Sequence, residues 1–258
     1  MGSPGPWVLW LDPLPRPGYL NMAIDEALLA AAEATGVGVL RLYRWEPFCL
    51  SFGRHEPAAR RYRRDRIAAL GLDAVRRPTG GRAVWHAREL TYAVAAPQAA
   101  FGSAPAAYLR IHGTIAEALA SLGAPASLAP RGPRASPAAR GPCFATPVGG
   151  EVVVAGRKLV GSAQLLRGNA LLQHGSVLLE GDQRTLCEVA AGPMPAGGEA
   201  SLESVLGRPV GFEEVAGALA ARARSWGGWD TLDDPEPILR QAEPLTDRYR
   251  SDDWTWSR

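Results

Sequence analysis

The hydrophobic pattern changes period twice within the first fifty residues. Trp7-Val8-Leu9-Trp10-Leu11 is a continuous run of branched and aromatic side chains that predicts a strand, and Pro13, Pro15, Pro17 and Gly18 predict a turn after it. From Asn21, read as a helix cap, apolar positions recur at Ala23, Ala27, Leu28 and Ala31. That three-and-four spacing predicts a helix to about Ala34, with Asp25 and Glu26 suited to the positive end of its dipole. Residues 37–45, 49–53, 82–85 and 90–95 return to strand composition, and 104–122 predicts a second long helix.

Residues 124–142 carry five prolines among Ala, Ser and Arg, which predicts a long exposed loop. Strands are predicted over 151–154, 159–164 and 170–179, with Gly156 and Gly168 at the turns, and helices over 209–224 and 237–242. Residues 191–200, rich in Gly and Pro, read as a hinge-like connector. Strand groups without regular strand-helix alternation imply a mixed α/β class with largely antiparallel sheets and packed helices. The organisation expected is one domain over 1–258, with a core over about 7–222 and a helical tail over 223–258.

At 258 residues and 47% hydrophobic content the chain can bury a full core. A net charge of +2 gives no support to a nucleic-acid partner. Neither a signal sequence nor a membrane span is legible, which reads as a soluble cytoplasmic protein. The basic residues change the picture more. Lys158 is the only lysine among 28 Lys and Arg residues, inside Gly156-Arg157-Lys158-Leu159-Val160-Gly161-Ser162-Ala163-Gln164. A compact ammonium enters narrow sites that the planar guanidinium does not. Cys143 stands alone after the proline-rich loop, whereas Cys49 and Cys187 sit in apolar runs and read as core. His86 and His174 each adjoin a glycine-bearing motif and suit either a substrate pocket or strand support; His55 and His112 read as surface or helix residues.

Several ordered motifs together resemble the lipoate-protein ligase and octanoyltransferase family. They are Asn21-Met22-Ala23-Ile24-Asp25-Glu26-Ala27, Arg76-Arg77-Pro78-Thr79-Gly80-Gly81-Arg82-Ala83-Val84-Trp85-His86 running on to Tyr92, the Lys158 segment, Leu172-Gln173-His174-Gly175-Ser176, and Ser204 to Val210. The resemblance implies the biotin/lipoate ligase catalytic-domain fold, a tunnel for an eight-carbon acyl chain, and modification of a lysine on a lipoyl domain. The Gly-Arg-Gly-Arg-x-Gly loop of biotin ligases is missing. Cys143-Phe144 resembles the nucleophile segment of the branch that takes octanoate from acyl carrier protein through a cysteine thioester. The usual Pro-Ser continuation is altered, since Val148 follows Pro147.

On this reading Cys143 and Lys158 are catalytic, and Arg76, Gly80, Gly81, His86, Tyr92, Gly161, Ser162, Gln164, His174 and Gly175 bind substrate. A cation near a thiol favours the thiolate. Backbone N–H groups at Gly80-Gly81 or Gly161 suit an oxyanion, an interaction worth roughly 2.7–4 kcal/mol per donor. No cofactor or metal is expected; the partners are octanoyl-acyl carrier protein and a lipoyl domain such as glycine cleavage H protein. Arg131, Arg134 and Arg140 would meet an acidic carrier as the loop closes. Three alternatives stay open: an ATP- and Mg-dependent lipoate ligase, an amidotransferase between lipoyl domains, and a non-catalytic lipoyl-domain binding subunit.

Overall fold

The computed structural model of the chain describes residues 6–130, 143–144, 147–195 and 197–257. In chain order these form β1 (Trp7–Arg16), α1 (Gly18–Thr35), β2 (Gly38–Trp45), β3 (Cys49–Phe52), α2 (Ala58–Arg61), α3 (Arg64–Ala69), β4 (Asp73–Arg76), β5 (Val84–His86), β6 (Glu89–Pro97) and α4 (Ala104–Ser121). There follow β7 (Ser127–Leu128), β8 (Val152–Val154), β9 (Arg157–Lys158), β10 (Val160–Arg167), β11 (Ala170–Leu178), α5 (Thr185–Glu188), α6 (Leu202–Leu206), α7 (Phe212–Ala223), β12 (Trp229–Thr231), α8 (Glu236–Arg250) and α9 (Asp252–Thr255).

A six-stranded sheet in the order β10-β11-β6-β2-β1-β12 divides the molecule. It is parallel where β1 meets β2 and β12 and antiparallel elsewhere, because hairpins join β10 to β11 while helices intervene along β1, α1 and β2. Alternate side chains serve opposite faces. Leu40, Leu42, Leu90, Val94 and Leu171 pack beneath Ile111, Ile115 and Leu119 of α4 and Val215 and Leu219 of α7. Val39, Tyr43, Ala93, Ala95 and Leu172 pack beneath Met22, Ile24 and Leu28 of α1, with Ala242 and Tyr249 of α8 behind. Each fully buried Leu or Ile contributes about 1.5–3 kcal/mol. Two three-stranded sheets, β4-β3-β5 and β7-β8-β9, carry the residues that frame the site.

The boundaries differ from expectation where local chemistry has a second outlet. β1 runs on through Pro13 and Pro15 instead of turning, since β12 pairs only with Trp7, Val8 and Leu9 and the strand beyond has no outer partner that needs their missing N–H. Asn21 is not a cap. The helix starts at Gly18 after Pro17, and Asn21 donates to the carbonyls of Arg16 and Arg44, so Asp25 and Glu26 lie beyond the first turn. The expected loop over 124–142 contains β7 before its remaining residues, with Arg131, Arg134 and Arg140, pass outside the described ones. The 191–200 connector is pinned, because Lys158 N donates to Gly198 O at 3.0 Å and Ala200 N to Lys158 O at 2.8 Å. The C-terminal segment is more than helical: β12 completes the central sheet, and Arg248 and Tyr249 of α8 both bond Glu26 of α1.

His112, read as a surface or helix residue, lies on α4 and is fully buried at the interface with the sheet. It ends a directed chain of hydrogen bonds. Gln164 Nε2 donates to Gln173 Oε1 (2.7 Å), Gln173 Nε2 to the Tyr92 hydroxyl (3.0 Å), and Tyr92 bonds Ser162 Oγ (2.6 Å). Ser162 Oγ then meets His112 Nε2 at 2.8 Å, and His112 Nδ1 meets Gly150 O at 2.7 Å. A carbonyl only accepts, so Nδ1 carries the proton and Nε2 accepts from Ser162. The chain ties the turn before β8 to the sheet.

Burial pushes the His112 imidazole down to about 4. An unfolded histidine titrates near 6.5, so the unfolded chain binds more protons between those values and stability falls as pH drops through them. About 2 kcal/mol should disappear from this group between pH 7.5 and 5, with a same-sign addition from buried His174, whose imidazole is also lowered chiefly by burial. Urea unfolding at the two pH values should show a smaller acid loss in His112→Gln than in the parent chain. Equal losses would remove His112 as the cause.

Candidate active site

Lys158 ends β9 with 1% of its surface exposed. Its Nζ donates to Glu151 Oε1 at 2.6 Å and to Cys143 O at 2.8 Å, and lies 3.5 Å from Cys143 Sγ. An ammonium this deep requires a counter-charge and a full set of acceptors, and the hairpin from β8 to β9 brings Glu151 to it. Burial raises the Glu151 carboxyl, against the pull of Lys158.

Cys143 is half-buried and held through its neighbours. Its N–H donates to Ala83 O at 3.1 Å, and the Phe144 ring is fully buried against Gly161. A Cβ on Gly161 would stand 2.7 Å from that ring, so glycine there is what lets the Cys143-Phe144 segment seat on β10. The Phe144 ring also presents its π system to Lys158, with Nζ 5.2 Å from the centroid.

Behind Cys143 lies a small cavity between the large sheet, the start of α1 and the β4-β3-β5 sheet. Met22, Trp45, Val84 and Ala163 give it carbon walls. Its polar residues turn their hydrogen-bonding atoms elsewhere. His174 Nδ1 donates to Asp25 Oδ2 (2.8 Å), and its Nε2 meets Thr79 Oγ1 (2.6 Å). His86 Nδ1 donates to Glu89 Oε1 (2.7 Å), its Nε2 meets Ser51 Oγ (2.6 Å), and its ring stacks on Trp45 at 4.0 Å. Asp25 and Glu89 each take the Nδ1 proton of one ring, which leaves Nε2 of each facing a hydroxyl. A wall built this way presents mostly carbon to the cavity.

Of the residues singled out from sequence, His86, Cys143, Gly161, Ser162, His174 and Gly175 line this cavity. Arg76 does not: its guanidinium bonds the carbonyls of Gly53, Arg54, Glu56 and Trp254. The next residue reaches the cavity instead, with Arg77 donating to Ser51 O and Oγ and to the carbonyls of Gly80 and Arg82. Gly80 and Gly81 do not line it. Their turn wraps Arg77 and closes on Gly53, where a Cβ would fall 1.9 Å from Gly81 O. Tyr92 and Gln164 belong to the chain behind Ser162, and Lys158 touches Cys143 from outside the cavity. Cys49 is core as expected, whereas Cys187 is only half-buried, its Sγ 3.7 Å from Met194 O.

Sequence reasoning missed Glu151, Arg77, Ser51 and His112. Glu151 precedes Lys158 by seven positions, a relation that gains meaning only when β8 and β9 are paired.

Comparison with known proteins agrees with this architecture. Residues 17–224 match the model of the lipoyl protein ligase A/B catalytic domain. The chain is 36% identical over 263 residues to the octanoyltransferase LipM of Kyrpidia tusciae, covering 92% of this chain and 94% of that one. It is 37% identical over 266 residues to the octanoyltransferase LipM of Symbiobacterium thermophilum, covering 95% and 96%. Among solved structures, a lipoate-protein ligase A bound with ATP superposes with a TM-score of 0.78 at 23% identity over 98% of both chains. A chain from the bi-partite lipoate protein ligase structure of Thermoplasma acidophilum gives 0.70 at 22% identity, over 99% of this chain and 97% of that one. Those two likenesses are of fold, and they bear out the mixed α/β class. Matched over most of its length by model and by relatives alike, the chain belongs to the family of lipoyl protein ligase A/B catalytic domains.

Proposed function

We propose that this chain takes octanoate from the thioester of acyl carrier protein onto Cys143 and passes it to the ε-amine of a lysine on a lipoyl domain, glycine cleavage H protein being one such acceptor. The chain is an acyltransferase of the octanoyltransferase kind. The observation that carries the finer reading is the placement of the lone lysine: Lys158 Nζ lies 3.5 Å from Cys143 Sγ at the edge of a carbon-walled cavity. A free thiol is only a few per cent ionised at neutral pH, and a fixed cation beside it favours the thiolate that attacks. The second Nζ bond, to Cys143 O, keeps that geometry as the sulfur changes state.

The energetics need no nucleotide. Exchange of one thioester for another is nearly balanced, and aminolysis of a thioester to an amide runs downhill. The acyl chain is assigned to this cavity for its carbon walls, Met22, Trp45, Val84 and Ala163, which lie beside Cys143. Gly161 lines the cavity, and its missing side chain lets the Phe144 ring pack close beside Cys143.

Incubation with octanoyl-acyl carrier protein, without ATP, should add one octanoyl group to the intact protein. The adduct should be released by hydroxylamine and be absent from Cys143→Ser. If no such adduct forms, while lipoate-dependent pyrophosphate release survives Cys143→Ala, the chain is a ligase and the reading falls.

Lys158→Arg keeps the charge but not the shape. Three acceptors converge on one small ammonium in a site 1% exposed, and a planar fork cannot reproduce that convergence. Steady-state octanoyl transfer to a lipoyl domain should fall by roughly 10²-fold, the lower end of what a lost acid-base group costs. Turnover near that of the parent chain would remove Lys158 from the chemistry.

A further inference from the structure

Glu151 opens the β8–β9 hairpin, and its side chain is 4% exposed against 2% for Lys158. Oε1 accepts from Lys158 Nζ at 2.6 Å, Oε2 accepts from Val148 N at 2.8 Å, and Glu151 N donates to Val148 O. These bonds lock the carboxylate onto the segment that returns from Cys143. Lys158 has three N–H bonds: one is on Glu151, one on Cys143 O, and the third points to Sγ. An ammonium so held can take the proton that the thiol must lose only by passing one of its own on. A peptide carbonyl does not store a proton and the sulfur is its source, which leaves the carboxylate.

We propose that Glu151 is the proton store of the site: it positions Lys158 and, acting through it, holds the proton released each time Cys143 or the incoming amine bonds the acyl carbon. The inference rests on reading Cys143 as the acyl carrier. In the first half-reaction the Cys143 sulfur bonds the octanoyl carbon and the carrier's sulfur leaves. The thiol proton moves to Lys158 Nζ as Nζ gives one to Glu151 Oε1, and the store then returns a proton to the departing carrier thiolate. In the second, the neutral lysine amine of the lipoyl domain bonds the same carbon and Cys143 leaves. The amine's proton takes the same route and ends on the Cys143 sulfur. Each half-reaction ends with the pair as it began, and no co-reactant is consumed.

Burial raises the Glu151 carboxyl more than Lys158 and Arg82 lower it, which narrows the gap a proton must cross from the amine. The other groups around the pair keep constant charge near neutrality. Arg82, ahead of β5, stays cationic. His112 of α4 is neutral above about 4. Tyr108 of α4 and Tyr92 of β6 are pushed up by burial. His86 and His174, which line the cavity with Cys143, are common to the parent chain and to Glu151→Gln, so a difference between the two pH profiles is assigned to Glu151.

Glu151→Gln tests this with three readouts: the pH profile of Cys143 alkylation by iodoacetamide without acyl donor, single-turnover octanoylation by octanoyl-acyl carrier protein, and single-turnover transfer to an apo lipoyl domain. Without the carboxylate the sulfur becomes the counter-charge of Lys158, so alkylation should shift to lower pH and run roughly tenfold faster at pH 6. Octanoylation should stay within about threefold, because the thiolate is already formed. Transfer should slow by roughly 10²-fold at pH 7 and recover as pH rises. Unmoved alkylation with unmoved transfer overturns the proposal. So does equal loss of both half-reactions with unmoved alkylation, the mark of a purely structural residue. If the parent chain takes up no octanoate, the acyl-carrier reading fails, and the alkylation shift still decides whether Glu151 governs the Lys158–Cys143 pair. Where Glu151→Gln does not fold, Glu151→Asp withdraws the carboxylate by one methylene and should transfer at an intermediate rate; an unchanged rate overturns the proposal.

Discussion

Asp25 has no access to water, and it is where α1, the central sheet and the cavity are joined. Its Oδ1 accepts from Arg41 of β2 at 3.0 Å, and its Oδ2 from Tyr43 of β2 and His174 of β11, both at 2.8 Å. Arg41 in turn bonds Asp12 of β1 and Asn21 of α1. A buried pair of this kind contributes little net stability, because desolvation offsets most of the attraction, but breaking it leaves an uncompensated charge that costs roughly 3–5 kcal/mol. Its effect is on geometry. Only one placement of α1 satisfies every donor, and that placement puts Met22 on the cavity wall and orients His174 so that Thr79, and with it the arginine-glycine turn, is drawn in. Burial and Asp25 together push the Tyr43 phenol up, which keeps it a donor.

The Lys158–Glu151 pair repeats this logic on the other side of the cavity with one difference. Asp25 meets Arg41, whose guanidinium holds its protons and makes a rigid clamp. Glu151 meets an ammonium, which can give a proton up. The two buried pairs thus divide the work between a static frame and a site where protons move. His112 couples the two regions through neutral bonds: its chain from Gly150 through Ser162 and Tyr92 to Gln173 crosses β10, β6 and β11 without introducing charge. Keeping charge out of that chain leaves Cys143 under the influence of the few ions placed beside it.

What could be read from the sequence follows from the range of the interactions involved. Strands β2, β6 and β11 and helices α1 and α4 declare themselves because their burial is set by period, a property of neighbours in the chain. Cys143 and Lys158 were visible through ordered motifs, and the lone lysine was visible by count alone. Asn21, Asp25 and His112 were misread for one shared reason. Each looks like an ordinary helix residue until its partners are known, and those partners lie on other elements: Arg44 for Asn21, Arg41 and His174 for Asp25, Ser162 for His112. Arg76 and Arg77 show the limit most sharply. Adjacent and chemically identical, they diverge because β4 points one toward Gly53 and Trp254 and the chain beyond it turns the other into the cavity.

The same contrast explains why arginine could spread through the chain while one position kept lysine. At exposed pairs such as Arg208 with Glu214 or Arg88 with Glu180, a guanidinium meets a carboxylate in water, where either cation would serve. At buried clamps such as Arg41 and Arg76, the fork is the better choice because several fixed carbonyls and carboxylates must be met in one plane. At position 158 the three acceptors are a carboxylate, a peptide carbonyl and a sulfur, arranged around a point and closed off by Phe144 and Gly161. Only a tetrahedral donor fits three such directions. A substitution to arginine there would have to displace Phe144, and with it the cysteine whose backbone that ring secures.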